Sequence, residues 1–165
     1  MRSRRDRVPW AVYVRRVLGE GGVGHVTKTM VQRSFTAPSL REFWHHWNPA
    51  CGYVLVYFVY RPLRKTVSAN AALLFTFAFS GFVFHDAPIW LITFALHVPL
   101  PFPVVTVAFT VCAVLIHLSE RLRVGFVDVK LWQRCVIHVA TLTFSFAVSI
   151  GMDVMIRVAS TRMTI

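Results

Sequence analysis

A chain of 165 residues that is 56% hydrophobic, with 14 Phe and 5 Trp, is more apolar than the roughly 45–50% usual for a soluble domain. Charge is confined to the N-terminus and a few short clusters, with long uncharged stretches between them, which is the composition of a membrane protein. The net charge of +11 is therefore matched to anionic lipid headgroups and the positive-inside bias. Nucleic acid is excluded as a partner, because the Lys/Arg residues form no continuous footprint.

Residues 1–35 are basic and contain Gly19, Gly21, Gly22 and Gly24. They read either as a surface helix, with Trp10, Val14, Val17 and Leu18 on one face and Arg15 and Arg16 turned to headgroups, or as a poorly ordered arm. The start is basic enough for a signal peptide, but Arg15 and Arg16 interrupt any apolar core, so no cleaved signal is expected. The G-E-G-G-V-G run lacks the strand–helix pattern of a dinucleotide loop.

Ser39 and Glu42 form an S-x-x-E capping box, which predicts a helix starting at Ser39. Leu40, Phe43, Trp44 and Trp47 then fall at i, i+3, i+4 and i+7, one apolar stripe of an amphipathic surface helix. Pro49 disfavours helical geometry at Asn48, so the helix is expected to stop there. Its terminal carboxamide can then cap its own helix or reach another element. Residues 51–60 are apolar and aromatic but too short to span a bilayer, which needs about 20 residues. They are read as a re-entrant or interfacial helix, closed by the basic R-P-L-R-K at 61–65.

Three long apolar runs follow, at about 69–96, 104–118 and 132–156. Pro88 is expected to kink or split the first, and Pro99, Pro101 and Pro103 mark a turn. Three crossings place 16 of the 18 Lys/Arg on one side, with Arg157 and Arg162 opposite, which puts the N-terminus in the cytoplasm. Cys51, Cys112 and Cys135 form no C-x-x-C motif and read as small buried hydrophobes. The expected fold is an all-α integral membrane protein. It comprises a small bundle of about three transmembrane helices, a re-entrant or interfacial helix and an amphipathic surface helix. Residues 1–35 are an arm or surface helix, and 36–165 a single membrane domain.

Within the first long run stands S-G-F-V-F-H-D, residues 80–86. His85 lies roughly 20 Å along that span at 1.5 Å per residue, close to mid-bilayer. A titratable group there is costly, and by default it marks a functional site. Asp86 points about 100° away from His85 on a helix, so it is not a triad partner and is expected to pair with a basic loop or line a wet cavity. His117 and His138 fall near the same bilayer surface, a placement compatible with bis-histidine haem but commoner for plain interfacial histidines. His97 carries no further signal, and no clustered Cys/His spacing suggests zinc.

Taken together, S-L-R-E-F-W-H-H-W-N, then Y-F-V-Y-R-P-L, then A-L-L-F-T-F-A-F-S-G-F-V-F-H-D resembles the catalytic portion of the membrane-bound O-acyltransferase family. The likeness is to its wax-synthase and sterol-acyltransferase branch and covers about residues 33–86. The resemblance implies that His85 is the catalytic histidine and Asn48 its polar partner. It further implies acyl-CoA as co-substrate, with no bound cofactor, and a lipid or alcohol hydroxyl as acceptor. Family members are usually more than twice this length, and His46 stands where many have Arg. The alternative is a non-catalytic subunit of the same descent, docked on a partner subunit or in a homo-oligomer.

Overall fold

The computed structural model describes residues 7–163, which form helices joined by turns, with no strand among them. The first six residues, where the basic signal-like start falls, lie outside the described part. Helices α1 (Trp10–Leu18) and α2 (Val23–Phe35) form a hairpin whose turn opens at Gly19, with φ of 87°, a left-handed value that favours glycine. Val17, Leu18 and Ser34 are buried, so the basic N-terminal segment is docked through the end of α1. The glycine run is the turn of this hairpin.

Helix α3 (Leu40–His46) begins as the capping box predicts, with the Ser39 hydroxyl accepting from the Glu42 amide at 3.1 Å. Its apolar stripe is a wedge rather than a lipid-facing surface. Phe43 stacks on Trp47 and on the His138 ring, while Trp44 meets Phe77 and Phe109 edge-on at 5.2 and 5.1 Å. Helix α4 starts at Pro49–Val54, widens into a π-helical stretch at Leu55–Tyr60 and ends at Arg61–Leu63. It packs against α1 through Tyr13, which sits edge-on to Tyr53 and Tyr57, and the Arg61 guanidinium lies 4.2 Å over the Tyr57 ring.

Among the described residues, three helices are long and apolar enough to cross a membrane: α5 (Ala69–Ala95), α6 (Val104–Arg121) and α7 (Leu131–Met163). Pro88 does not split α5. The π-helical turns at Phe82–Asp86 lie immediately before it and accommodate the missing N–H and the proline ring within a continuous helix. Helix α7 runs well past the expected end near Ile156. An Arg157–Asp153 ion pair one turn apart and a serine hydroxyl bonded back to Ile156 keep the polar end helical.

Small residues set the spacing between α6 and α7. Cys112 on α6 meets Ser145 on α7, and both are buried, as are Ala108 and Ser149. The Cys112 thiol donates to Ser145, and Ser149 donates to the Val104 carbonyl at 2.7 Å, which levels Ser149 with the first turn of α6. The main apolar core lies at the opposite end, where Leu40, Leu73, Ala113, Ile116 and Phe126 pack together. There α7 grips the chain between α2 and α3. Arg134 donates to the Thr36 carbonyl, and the His138 Nε2 donates to that of Ala37 at 2.9 Å. The Phe126 amide donates to Pro38, and Arg41 pairs with Glu120 through two hydrogen bonds. This lattice fixes α3, and with it the next residue of interest, Asn48.

Candidate functional site

Asn48 adopts φ 44° and ψ 70°, a left-handed conformation that Asn tolerates better than most residues. The cause is local: Pro49 begins a new helix straight after α3 has ended, so the chain must turn sharply at one residue. The Asn48 Oδ1 accepts from the Cys51 amide at 3.3 Å, making Asn48 the N-cap of α4 rather than a cap of its own helix. Its Nδ2 makes no hydrogen bond among the described residues and remains available as a donor.

His85 and Asp86 are neighbours on α5 with opposite fates. Asp86 is 4% exposed, and its carboxylate accepts from the Val105 amide at 3.3 Å and from the Thr106 amide and hydroxyl at 2.6 Å each. It is the cap of α6, supplied from another helix. An anionic group at a helix N-terminus meets unpaired N–H groups and the positive end of the dipole, which makes its burial tolerable. The sequence expectation of a basic-loop partner or a wet cavity is thereby corrected. Gly81 lies against the same two residues. A Cβ there would stand 2.6 Å from Thr106 Cα and 2.8 Å from the Val105 carbonyl oxygen, so only glycine allows this approach.

The His85 ring lies on the cavity side of that contact, one turn further along α6. It is exposed, meets the Phe109 ring edge-on at 5.4 Å, and forms no hydrogen bond among the described residues. It opens into a cavity of about 620 Å³, within the range of roughly 300–1,000 Å³ common for small-molecule sites. Asn48 lines the same cavity. Its walls are mainly Trp44, Leu55, Phe77, Phe84, Phe109 and Phe146, with Thr76 and Ser80 as further polar points. The structure thus brings Asn48 and His85 to one space without a hydrogen bond between them. Asn48 does not set the imidazole tautomer directly; both groups face whatever fills the cavity.

At the rim stands Arg41, half-exposed, whose hydrogen bonds to Glu120 raise its already high pKa and hold the guanidinium charged. His46, one residue beyond the cavity-lining His45, lies outside it. Burial pushes the His46 pKa down, aided by His45 and Arg33, and its buried Nδ1 has no hydrogen-bond partner among the described residues. Tyr13 has a raised pKa from burial against α4.

No group of three or more His, Cys, Asp or Glu side chains assembles in metal-binding geometry among the described residues. His138 is 1% exposed and committed to the Ala37 carbonyl between the Phe43 and Phe126 rings, so a bis-histidine haem pair with His117 is not formed. Sequence reasoning missed this anchor, the Asp86 cap and the Ser80 and Thr76 lining. The i, i+4 spacing of Arg134 and His138 was the available signal for the first, but it does not name a target about a hundred residues away. Comparison of the chain with protein-family models, with curated proteins and with solved structures returned no match.

Proposed function

We propose that this chain is a membrane-bound O-acyltransferase-like protein that moves a fatty acyl group from a thioester donor to a lipid or alcohol hydroxyl. The observation that carries the reading is a largely apolar cavity whose wall holds both His85 and Asn48. Supporting it are the free Nδ2 of Asn48 and a His85 ring with no competing hydrogen-bond partner. In this reading acyl-CoA is the co-substrate. Its acyl chain lies along the aromatic walls, and the acceptor hydroxyl meets His85.

The chemistry then follows from the groups present. His85 takes the hydroxyl proton as the oxygen attacks the thioester carbonyl. The Asn48 Nδ2 donates to the developing oxyanion, where one well-placed donor is worth about 3 kcal/mol. As the tetrahedral intermediate collapses, the carbon–sulfur bond breaks and the proton passes from the imidazolium to the departing thiolate. The product is an ester and a free thiol. The Lys/Arg bias orients the protein in the cell membrane as a multi-pass chain with its N-terminus in the cytoplasm.

The test is reconstitution in vesicles with labelled acyl-CoA and a panel of long-chain alcohols and sterols. Ester formation is expected to fall to background in His85→Ala and by about 100-fold in Asn48→Ala. Transfer that survives His85→Ala removes the imidazole from the mechanism. A second reading, a non-catalytic subunit, is favoured by one observation: among the described residues no hydrogen bond holds the exposed His85 ring. Stoichiometric co-purification of a larger membrane partner, with its function indifferent to both substitutions, selects that reading.

A further inference from the structure

A ring that no hydrogen bond orients must owe its direction to the helix that carries it. Helix α5 is packed along much of its length, with Leu73 in the shared apolar core and Phe77 against Trp44, but the contact nearest His85 is the one with the N-terminus of α6. Two residues make that contact. Gly81 brings the helices together backbone to backbone, and Asp86 ties the carboxylate to Val105 and Thr106 by three hydrogen bonds. On a regular α-helix, residues five apart stand roughly 140° apart at 100° per residue, too far to share one neighbour. The wider turns of the π-helical stretch Phe82–Asp86 bring Gly81 and Asp86 toward one face. His85, one residue before Asp86, is thereby directed to the cavity side and against Phe109.

We infer that Asp86 is a positioning residue for His85: by fastening α5 to the first turn of α6, its carboxylate sets the helix rotation that aims the imidazole into the cavity. The role of His85 in transfer rests on the function proposed above, whereas the aiming itself does not. Asp86 touches no cavity space, and its three bonds all go to α6.

The experiment reads ring orientation apart from activity. The protein is labelled at histidine and held in nanodiscs, and imidazole resonances are assigned with His85→Gln and His138→Gln. In the wild type the His85 ring carries the ring-current shift of Phe109, while His138, between Phe43 and Phe126, reports the fold at a distance. Asp86→Ala is expected to move the His85 signal toward its random-coil position and leave that of His138 in place. Asp86→Asn, which keeps an acceptor, is expected to restore most of the wild-type shift, and Thr106→Val to produce a smaller displacement. A His85 signal unmoved in Asp86→Ala, with His138 intact, overturns the inference. If Asp86→Ala also displaces His138, the fold is lost and the other two variants decide: the inference falls if Thr106→Val leaves His85 unmoved. Should the wild type catalyse transfer, Asp86→Ala lowers kcat by on the order of tenfold or more with KM nearly unchanged. A wild type without transfer defeats the acyltransferase reading and leaves the ring-orientation result standing.

Discussion

The two ends of the bundle are built differently. Where the chain enters α5, leaves α6 and enters α7, aromatic rings and charged side chains interlock: Phe43, Trp44 and Phe126 pack with Leu73 and Ile116, and Arg134, His138 and Arg41 tie separate segments together. Beyond Ser149, by contrast, α7 runs on with Ile150, Val154, Met155, Ile156 and Val158 all exposed, and Leu91, Ile92 and Phe94 of α5 are equally bare. The sequence is about as apolar at both ends, so hydrophobicity alone does not make a core. What distinguishes the first end is the extra layer of helices α1 to α4, which supplies partners. The cavity forms between that layer and the bundle, and the bare end has no counterpart to it.

Paired substitutions sharpen this contrast. The largest expected difference is between Phe43→Ala and Met155→Ala in unfolding titrations in mixed detergent micelles. Phe43 touches Phe35, Trp44, Trp47 and His138, so its loss is expected to cost about 3–5 kcal/mol. Met155, largely exposed, is expected to change stability by no more than about 0.5 kcal/mol. Equal effects would erase the distinction between the two ends.

Glycines give the next pair. Gly81→Ala forces α5 away from α6 and is expected to destabilise by about 1–3 kcal/mol, with loss of any transfer activity. Gly151→Ala has nothing within 4 Å of the new methyl and is expected to stabilise α7 by up to about 1 kcal/mol through helix propensity. Thermal unfolding of the two variants side by side checks both signs.

A smaller effect is expected at the cavity rim. Arg41→Gln removes an ion pair in which both partners are about half exposed, so the loss is about 0.2–1 kcal/mol and shrinks with added salt. The salt series is the check: an effect that ignores ionic strength would mean the guanidinium acts by packing. The subtlest prediction concerns acid. Burial lowers the His46 pKa in the folded protein, so the unfolded chain takes up more protons as pH falls through about 6.5. His46 therefore leaves stability untouched above that pH and weakens it below. Melting curves at pH 7.5 and 5.5 should show less acid loss in His46→Gln than in the wild type; identical losses would remove His46 as a contributor.

Much of the local structure was legible in the residues themselves. The Ser39 cap, the stop at Pro49, the three apolar helices and the turn around Pro99 to Pro103 each depend on groups within a few positions. His85 could be singled out because a titratable group in an apolar run is unusual in its own right, and Asn48 through the resemblance of the surrounding motifs. That they line one cavity was not legible, since it depends on how α3 lies against α5 and α6. The fate of Asp86 was misjudged because its partners, Val105 and Thr106, are backbone groups that any sequence could supply.

Periodicity, capping and helix-breaking residues, acting over one or two turns, were enough to determine which stretches coil and which could cross a bilayer. Only the packed structure decided that α3 is a wedge, that the carboxylate beside His85 closes another helix, and that the imidazole is left facing open space. The reason is range: a hydrogen bond within a turn is encoded by its immediate neighbours. A bond between residues 20 or 101 positions apart exists only once the helices have found their mutual rotation.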